Sequence, residues 1–390
     1  MRALAPALAV VLQAAVVAAQ AQGRTAAPAA GARPADLAAI VARIEKGDTT
    51  GAEQQLRQLV AASGDPAARQ LLARLYLEQK KDAEAIAELR QAALAGPLPR
   101  DLGLRLAAAE AADGHPALAE RQLRSLATRY GSVRGLLQLA RLQVRQKDPA
   151  GALATLEKAR TLAPNAEEVL SAFAQVSLSL QAPVPALQVL EPLVRMYPSV
   201  AQYRYMTGVA LMQAGDVQSA ISPLREADQL EPDRPLTLTA LGLVLNNLRM
   251  YSEARPYLVR SLDLDPDAVD TLAALAESEQ GVGELEAAET HAKRALARKG
   301  DQAIANLALG MVRMKQERYE EACAALERAA AADPASPTAP YQLSLAWARR
   351  GDEAQSSRYL ELYRQKLREL DLRVAEVRAK TGLSGGGMKR

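Results

Sequence analysis

The chain has 390 residues, a length that suits two or three globular domains, and its 48 basic and 45 acidic residues are interspersed and nearly cancel to a formal net charge of +3. That balance, with aromatics at only 3%, argues against a nucleic-acid surface, which needs clustered cations and stacking platforms. A hydrophobic fraction of 49% rich in alanine points to close helix–helix packing and an all-helical chain, while the single Cys323 excludes an intramolecular disulfide and a thiolate metal site.

The chain opens with Met1-Arg2, an apolar run over 3–19 and the small-residue triplet Ala19-Gln20-Ala21. Short basic, apolar and small-residue segments in that order form an export signal, and residues 1–21 are expected to be removed after Ala21. The alternative is a retained N-terminal anchor. No cysteine follows the triplet, which excludes lipoprotein processing. The expected location is therefore the periplasm or the secreted fraction. Residues 22–34, rich in Ala, Gly and Pro, read as a flexible tether, and no second apolar stretch is long enough to span a bilayer.

From about Ala35 the same chemistry recurs every 34 residues. Alanine recurs at Ala152, Ala186, Ala220, Ala254, Ala288 and Ala322. Helix enders recur as Pro164, Pro198, Pro232, Pro266, Gly300 and Pro334. Small residues recur as Ala140, Ala174, Gly208, Gly242, Ala276 and Gly310, and Leu156, Leu190, Leu224, Leu258 and Leu326 keep a large position where Ala292 is the one substitute. About 34 residues suffice for two helices of three to four turns and two short connections. The small residues belong where the paired helices cross, the leucine fills the space beside them, and proline forces the chain to turn into the next unit. The register extends upstream with one-residue shifts and defines ten units over 35–370: 33–65, 66–99, 100–132, 133–166, 167–200, 201–234, 235–268, 269–302, 303–336 and 337–370. Gly215-Asp216 and Gly351-Asp352 mark turns within units.

Leu360, Tyr363, Leu367, Leu370, Val374 and Val377 are spaced 3, 4, 3, 4, 3 on a helix expected to run to about Lys380. This seam either covers the last unit, with 371–380 as the end of a long capping helix, or zips to a partner helix in a homodimer. Residues 381–390 read as a disordered tail.

No catalytic constellation emerges. His115 and His291 have no histidine or cysteine at metal-ligand spacing, and Gly281-Val282-Gly283 falls where a turn between helices is due instead of after a strand. Neither a metal nor a cofactor is expected, and the protein reads as a non-enzyme.

The pattern of large and small residues at positions seven and eight, Ala at twenty, Leu at twenty-four and Pro at thirty-two resembles the tetratricopeptide repeat, most strongly over 133–336. Tyr251 and Tyr319 at position seventeen and Tyr76 at position eleven resemble its aromatic positions, whereas the family's tryptophan at position four is absent and Trp347 sits at position eleven. The resemblance implies an all-α solenoid of about ten helix–turn–helix repeats in a right-handed superhelix. It also implies that the first helix of each repeat lines a concave groove binding a protein or peptide. Carried over to this sequence, the inward-facing positions are Tyr205, Val209 and Met212; Thr239, Leu243, Asn246 and Asn247; Asp270 and Glu277; and Leu307, Met311, Met314 and Lys315. The adjacent amides Asn246 and Asn247 stand out, because they lower helix propensity without filling a core. Position five never offers a Lys or Arg, so the chaperone-binding carboxylate clamp of one version of the fold is not expected. The function that follows is a non-catalytic scaffold or adaptor outside the cytoplasm; the alternatives are an oligomerising building block and the regulatory subunit of an envelope enzyme complex.

Overall fold

The structure, a computed structural model, describes residues 34–381, so the export segment, most of the tether and the final tail residues lie outside it. The described residues form twenty α-helices and no strand. The chain divides into two compact units at Ala163/Pro164. In the first unit the pairs are α1 (Pro34–Glu45) with α2 (Thr49–Ser63), α3 (Pro66–Glu78) with α4 (Asp82–Ala95), α5 (Arg100–Ala112) with α6 (Pro116–Tyr130), and α7 (Val133–Arg145) with α8 (Pro149–Leu162). The second unit begins with α9 (Glu167–Ser179) and α10 (Pro183–Met196), then α11 (Ala201–Ala214) with α12 (Val217–Leu230), and α13 (Pro235–Asn247) with α14 (Tyr251–Leu264). It continues with α15 (Val269–Val282) and α16 (Leu285–Arg298), α17 (Ala303–Lys315) and α18 (Tyr319–Ala332), and α19 (Thr338–Arg349) with the long α20 (Glu353–Thr381). Each unit is a stack of consecutive helix pairs, the solenoid the repeat predicts.

The packing shows why position eight is small. A Cβ on Gly208 would lie 2.4 Å from Leu224, one on Gly242 2.3 Å from Leu258, and one on Gly310 2.6 Å from Leu326. In each of these three repeats the leucine of the second helix therefore sits directly on the bare backbone of the first. The alanine ladder is sealed: Ala152, Ala186, Ala220, Ala254, Ala288 and Ala322 have no exposed surface. Gly281 plays a related part, since a Cβ there would meet the Tyr251 ring at 2.3 Å; the glycine admits the ring.

Two kinds of turn separate the helices. Between repeats, α8, α10, α12, α14 and α18 stop two residues before the proline ladder. The intervening residues Ala163, Tyr197, Glu231, Asp265 and Asp333 leave the helical region, with φ between −128° and −143°, as the residue before a proline tends to. Within repeats, every one of the ten turns carries a residue in the left-handed region: Gly47, Lys80, Gly114, Lys147, Gln181, Gly215, Arg249, Gly283, Glu317 and Gly351. The next residue's N–H then reaches back to the carbonyl five before it, as from Met250 to Leu245 (2.8 Å) and from Asp216 to Leu211 (3.0 Å), which satisfies an orphan carbonyl at the helix end.

Candidate functional site

All the sequence-selected groove residues belong to the second unit, on α11, α13, α15 and α17, and the structure separates them into two groups. Tyr205, Val209, Met212, Leu243, Met311 and Met314 are half-buried on the first helices of their repeats, and Asn247, Asp270 and Lys315 are exposed. The guanidinium of Arg234 lies over the Tyr205 ring, 5.4 Å from its centroid. Asn247 Nδ2 donates to the Leu243 carbonyl (3.1 Å) one turn back, and Asp270 accepts from Gln302 Nε2 (3.2 Å). These side chains keep part of their surface in solvent, although Leu243, Met311 and Met314 also pack against the cores beneath them.

The others are committed to the fold. Asn246, one of the two amides singled out by the sequence, is only 2% exposed. Its Nδ2 donates to the Ala274 carbonyl (2.7 Å) and Glu277 Oε2 (3.3 Å), and its Oδ1 accepts from Ser278 Oγ (2.6 Å). It thus ties α13 to α15 of the next repeat, and a buried amide without those partners would be costly. Thr239 hydrogen-bonds Ser261 (2.9 Å) and Thr271 (2.8 Å), both buried, and so joins the packing of α13, α14 and α15. Leu307 lies in the core formed with Cys323, Leu326 and Leu343.

Electrostatically the salient group is Glu277. Burial raises its carboxyl to about 7, while the Asn246 N–H pulls the other way. Burial also raises the Tyr251 hydroxyl, with the nearby Glu277 charge adding to the effect. Other acids serve as braces. The Arg313 side chain is 8% exposed and grips Glu289 with both nitrogens (2.7 and 2.9 Å). This contact, ahead of that from Lys293, holds Glu289 down at about 2. Tyr203 donates to Glu167 (2.5 Å) across successive repeats, and burial together with that bond pushes its hydroxyl up to about 12. The two histidines sit against buried carboxylates, His115 beside Glu110 (3.2 Å) and His291 beside Glu279 (2.8 Å). Cys323 is a buried thiol raised by that burial.

The C-terminal seam divides as well. Tyr363 stacks at a tilt on Tyr341 of α19, ring centroids 5.1 Å apart, within the last helix pair. Leu360 is half-buried and Leu367 is 38% exposed. Leu370, Val374 and Val377 leave the last pair behind and turn to α10 and α11 at the other end of the unit, where Val377 is 3% exposed. Sequence spacing marked these residues as a seam but held no sign of the surface they meet. Nor did it mark Asp216, a buried acid beside Gly215 that faces Arg378 (3.4 Å), as anything beyond a turn residue.

Tetratricopeptide-repeat family models match residues 37–99, 186–235, 273–340 and 307–363, with related models matching 134–166 and 237–268. The chain belongs to the tetratricopeptide repeat family, whose fold is a scaffold for protein–protein interaction. Among solved structures it is similar to a tetratricopeptide repeat protein from Parabacteroides merdae, at 15% identity over 63% of this chain and 98% of that one, with a TM-score of 0.51. It is also similar to a chain of the APC/C hetero-tetramer Cut9-Hcn1, at 17% identity over 80% of this chain and 63% of that one, with a TM-score of 0.50. At these identities the likeness concerns the fold alone. No curated protein matches the chain.

Proposed function

We propose that the second unit holds a peptide segment of a protein partner along its first-helix face, as a non-catalytic adaptor acting outside the cytoplasm. The observation that carries this reading is the recurrence of Val209, Met212, Leu243, Met311 and Met314, half-open apolar side chains on the first helices of repeats whose interiors are otherwise sealed. Methionine and leucine adapt to varied apolar surfaces, and Asn247, Asp270 and Lys315 supply polar contacts around them. Export rests on the order of charges and apolar residues in 1–21.

Photo-crosslinking groups placed at 209 and 311 in the full chain, in its native compartment, test the face directly. Both positions are expected to capture the same protein, and Leu243→Glu with Met314→Glu is expected to abolish capture while the helical circular dichroism stays unchanged. Capture that survives those charges would place the partner elsewhere. For export, a reporter active only outside the cytoplasm and fused after residue 30 is expected to be active; an inactive one would reject that location.

A further inference from the structure

Helix α20 has 29 residues, where the second helices of the other repeats have 14 or 15. Its first turns pack on α19 as a normal partner, with Ser356 Oγ donating to the Ser344 carbonyl (2.9 Å). Its last turns reach the α11–α12 turn and touch α10 and α11. Two features of that turn differ from its counterparts. A Cβ on Gly47, Gly114, Gly283 or Gly351 would meet nothing within 4 Å, whereas one on Gly215 would lie 2.7 Å from Leu370 Cδ1 and 2.9 Å from Val374 Cγ2. The aspartates that follow a turn elsewhere cap the next helix, Asp48 accepting from Gly51 N, Asp148 from Gly151 N and Asp352 from Gln355 N. Asp216 makes no such cap, and its side chain, 5% exposed, instead receives Arg378.

We infer that the Gly215–Asp216 turn with its α10 and α11 flanks is a helix-binding site, which takes a partner helix presenting aliphatic residues at i, i+4 and i+7 and an arginine at i+8. Residues 370–378 of the chain itself fill it and show what it accepts: Leu370, Val374, Val377 and Arg378 occupy those four positions. The bare glycine lets a helix approach the turn backbone, and the acid, freed from capping, reads the cation. The resident segment is a modest occupant. Its arginine is 42% exposed and stands 3.4 Å from Asp216, so a helix that seats the cation more fully is expected to compete with it. The resident end is held in place by its own continuous helix, and that is the competition a partner helix meets.

The test uses the full chain carrying Leu370→Glu and Val374→Glu, with Arg378→Asp as a milder release variant, and a fluorescein-labelled synthetic peptide of residues 363–381. Helical circular dichroism verifies that each chain is folded. The released chains are expected to bind the peptide at least tenfold more tightly than the unaltered chain, whose own helix competes. Adding Asp216→Arg is expected to remove that binding, and a peptide carrying Arg378→Asp to restore it. Folded, released chains that ignore the peptide would overturn the inference. So would released chains that double in mass by light scattering without peptide, because the site would then belong to a second copy's α20.

Discussion

Glu277 and Glu289 are two carboxylates displaced in opposite directions, and they give the molecule opposite pH dependences. Burial favours the protonated Glu277, which titrates at about 7 against 4.5 for an ordinary glutamate. Its effect is absent below pH 4.5, and stability falls as the pH rises from there through 7, because the unfolded chain releases its proton first. Glu277→Gln keeps an acceptor for Asn246 and is expected to raise stability by roughly 2 kcal/mol at about pH 8 and to leave it unchanged near pH 4, in urea titrations. Glu289, held at about 2 by Arg313, does the reverse: its contribution is complete above 4.5 and is lost as the pH falls toward 2. Glu289→Gln is expected to cost about 2 kcal/mol at neutral pH, since buried Arg313 loses its closest carboxylate and keeps only the longer contact with Glu321, and the cost should shrink in acid. Neither displacement was legible in the sequence. Glu289 and Arg313 stand 24 residues apart, and the Ala274 carbonyl that claims Asn246 lies 28 residues from it, so what faces what is decided only when repeats stack. Asn246 and Asn247 looked alike as neighbours. One helical step puts the first inside the α13–α15 contact and leaves the second in solvent.

At the scale of the helix pair the sequence was far more readable, because each steric demand is met within one repeat and then repeated. Gly242 against Leu258 is a contact 16 residues apart that recurs with the period. Gly242→Ala is expected to cost about 1–3 kcal/mol by overpacking, measured by denaturant midpoint, and Leu258→Ala in the same chain should relieve part of that clash. The proline ladder announced the turns between repeats. Turns within repeats were half hidden: glycine signals a left-handed residue, but Lys80, Lys147, Gln181, Arg249 and Glu317 adopt the same conformation with nothing in their chemistry to advertise it. Arg249, at φ 60°, is exposed and carries that strain without a compensating bond of its own side chain among those described. Arg249→Gly is expected to raise stability by about 0.5–1 kcal/mol, the relief of left-handed strain outweighing the added freedom of the unfolded glycine. An unchanged or lower midpoint would show that the turn is not strained.

Within each unit the repeats behave as a stack in which each pair rests on its neighbours. Side-chain bonds between repeats have the reach this implies, as with Tyr203 and Glu167, 36 residues apart. Arg378 and Asp216 are separated by 162. A linear array frays from its ends, one repeat after another, and its contacts are local enough for quick assembly. In the second unit the terminal helix returns to the repeats where that unit begins, so its last repeats cannot peel away without first surrendering a contact whose loop-closure entropy was spent over more than 160 residues. The end of the array that would ordinarily open first is thereby coupled to the stability of α10 and α11. Hydrogen exchange of α19 and α20 in the full chain should accordingly slow in step with those two helices, and Arg378→Asp should uncouple them, turning a unit that opens as a whole into one that opens from its tip.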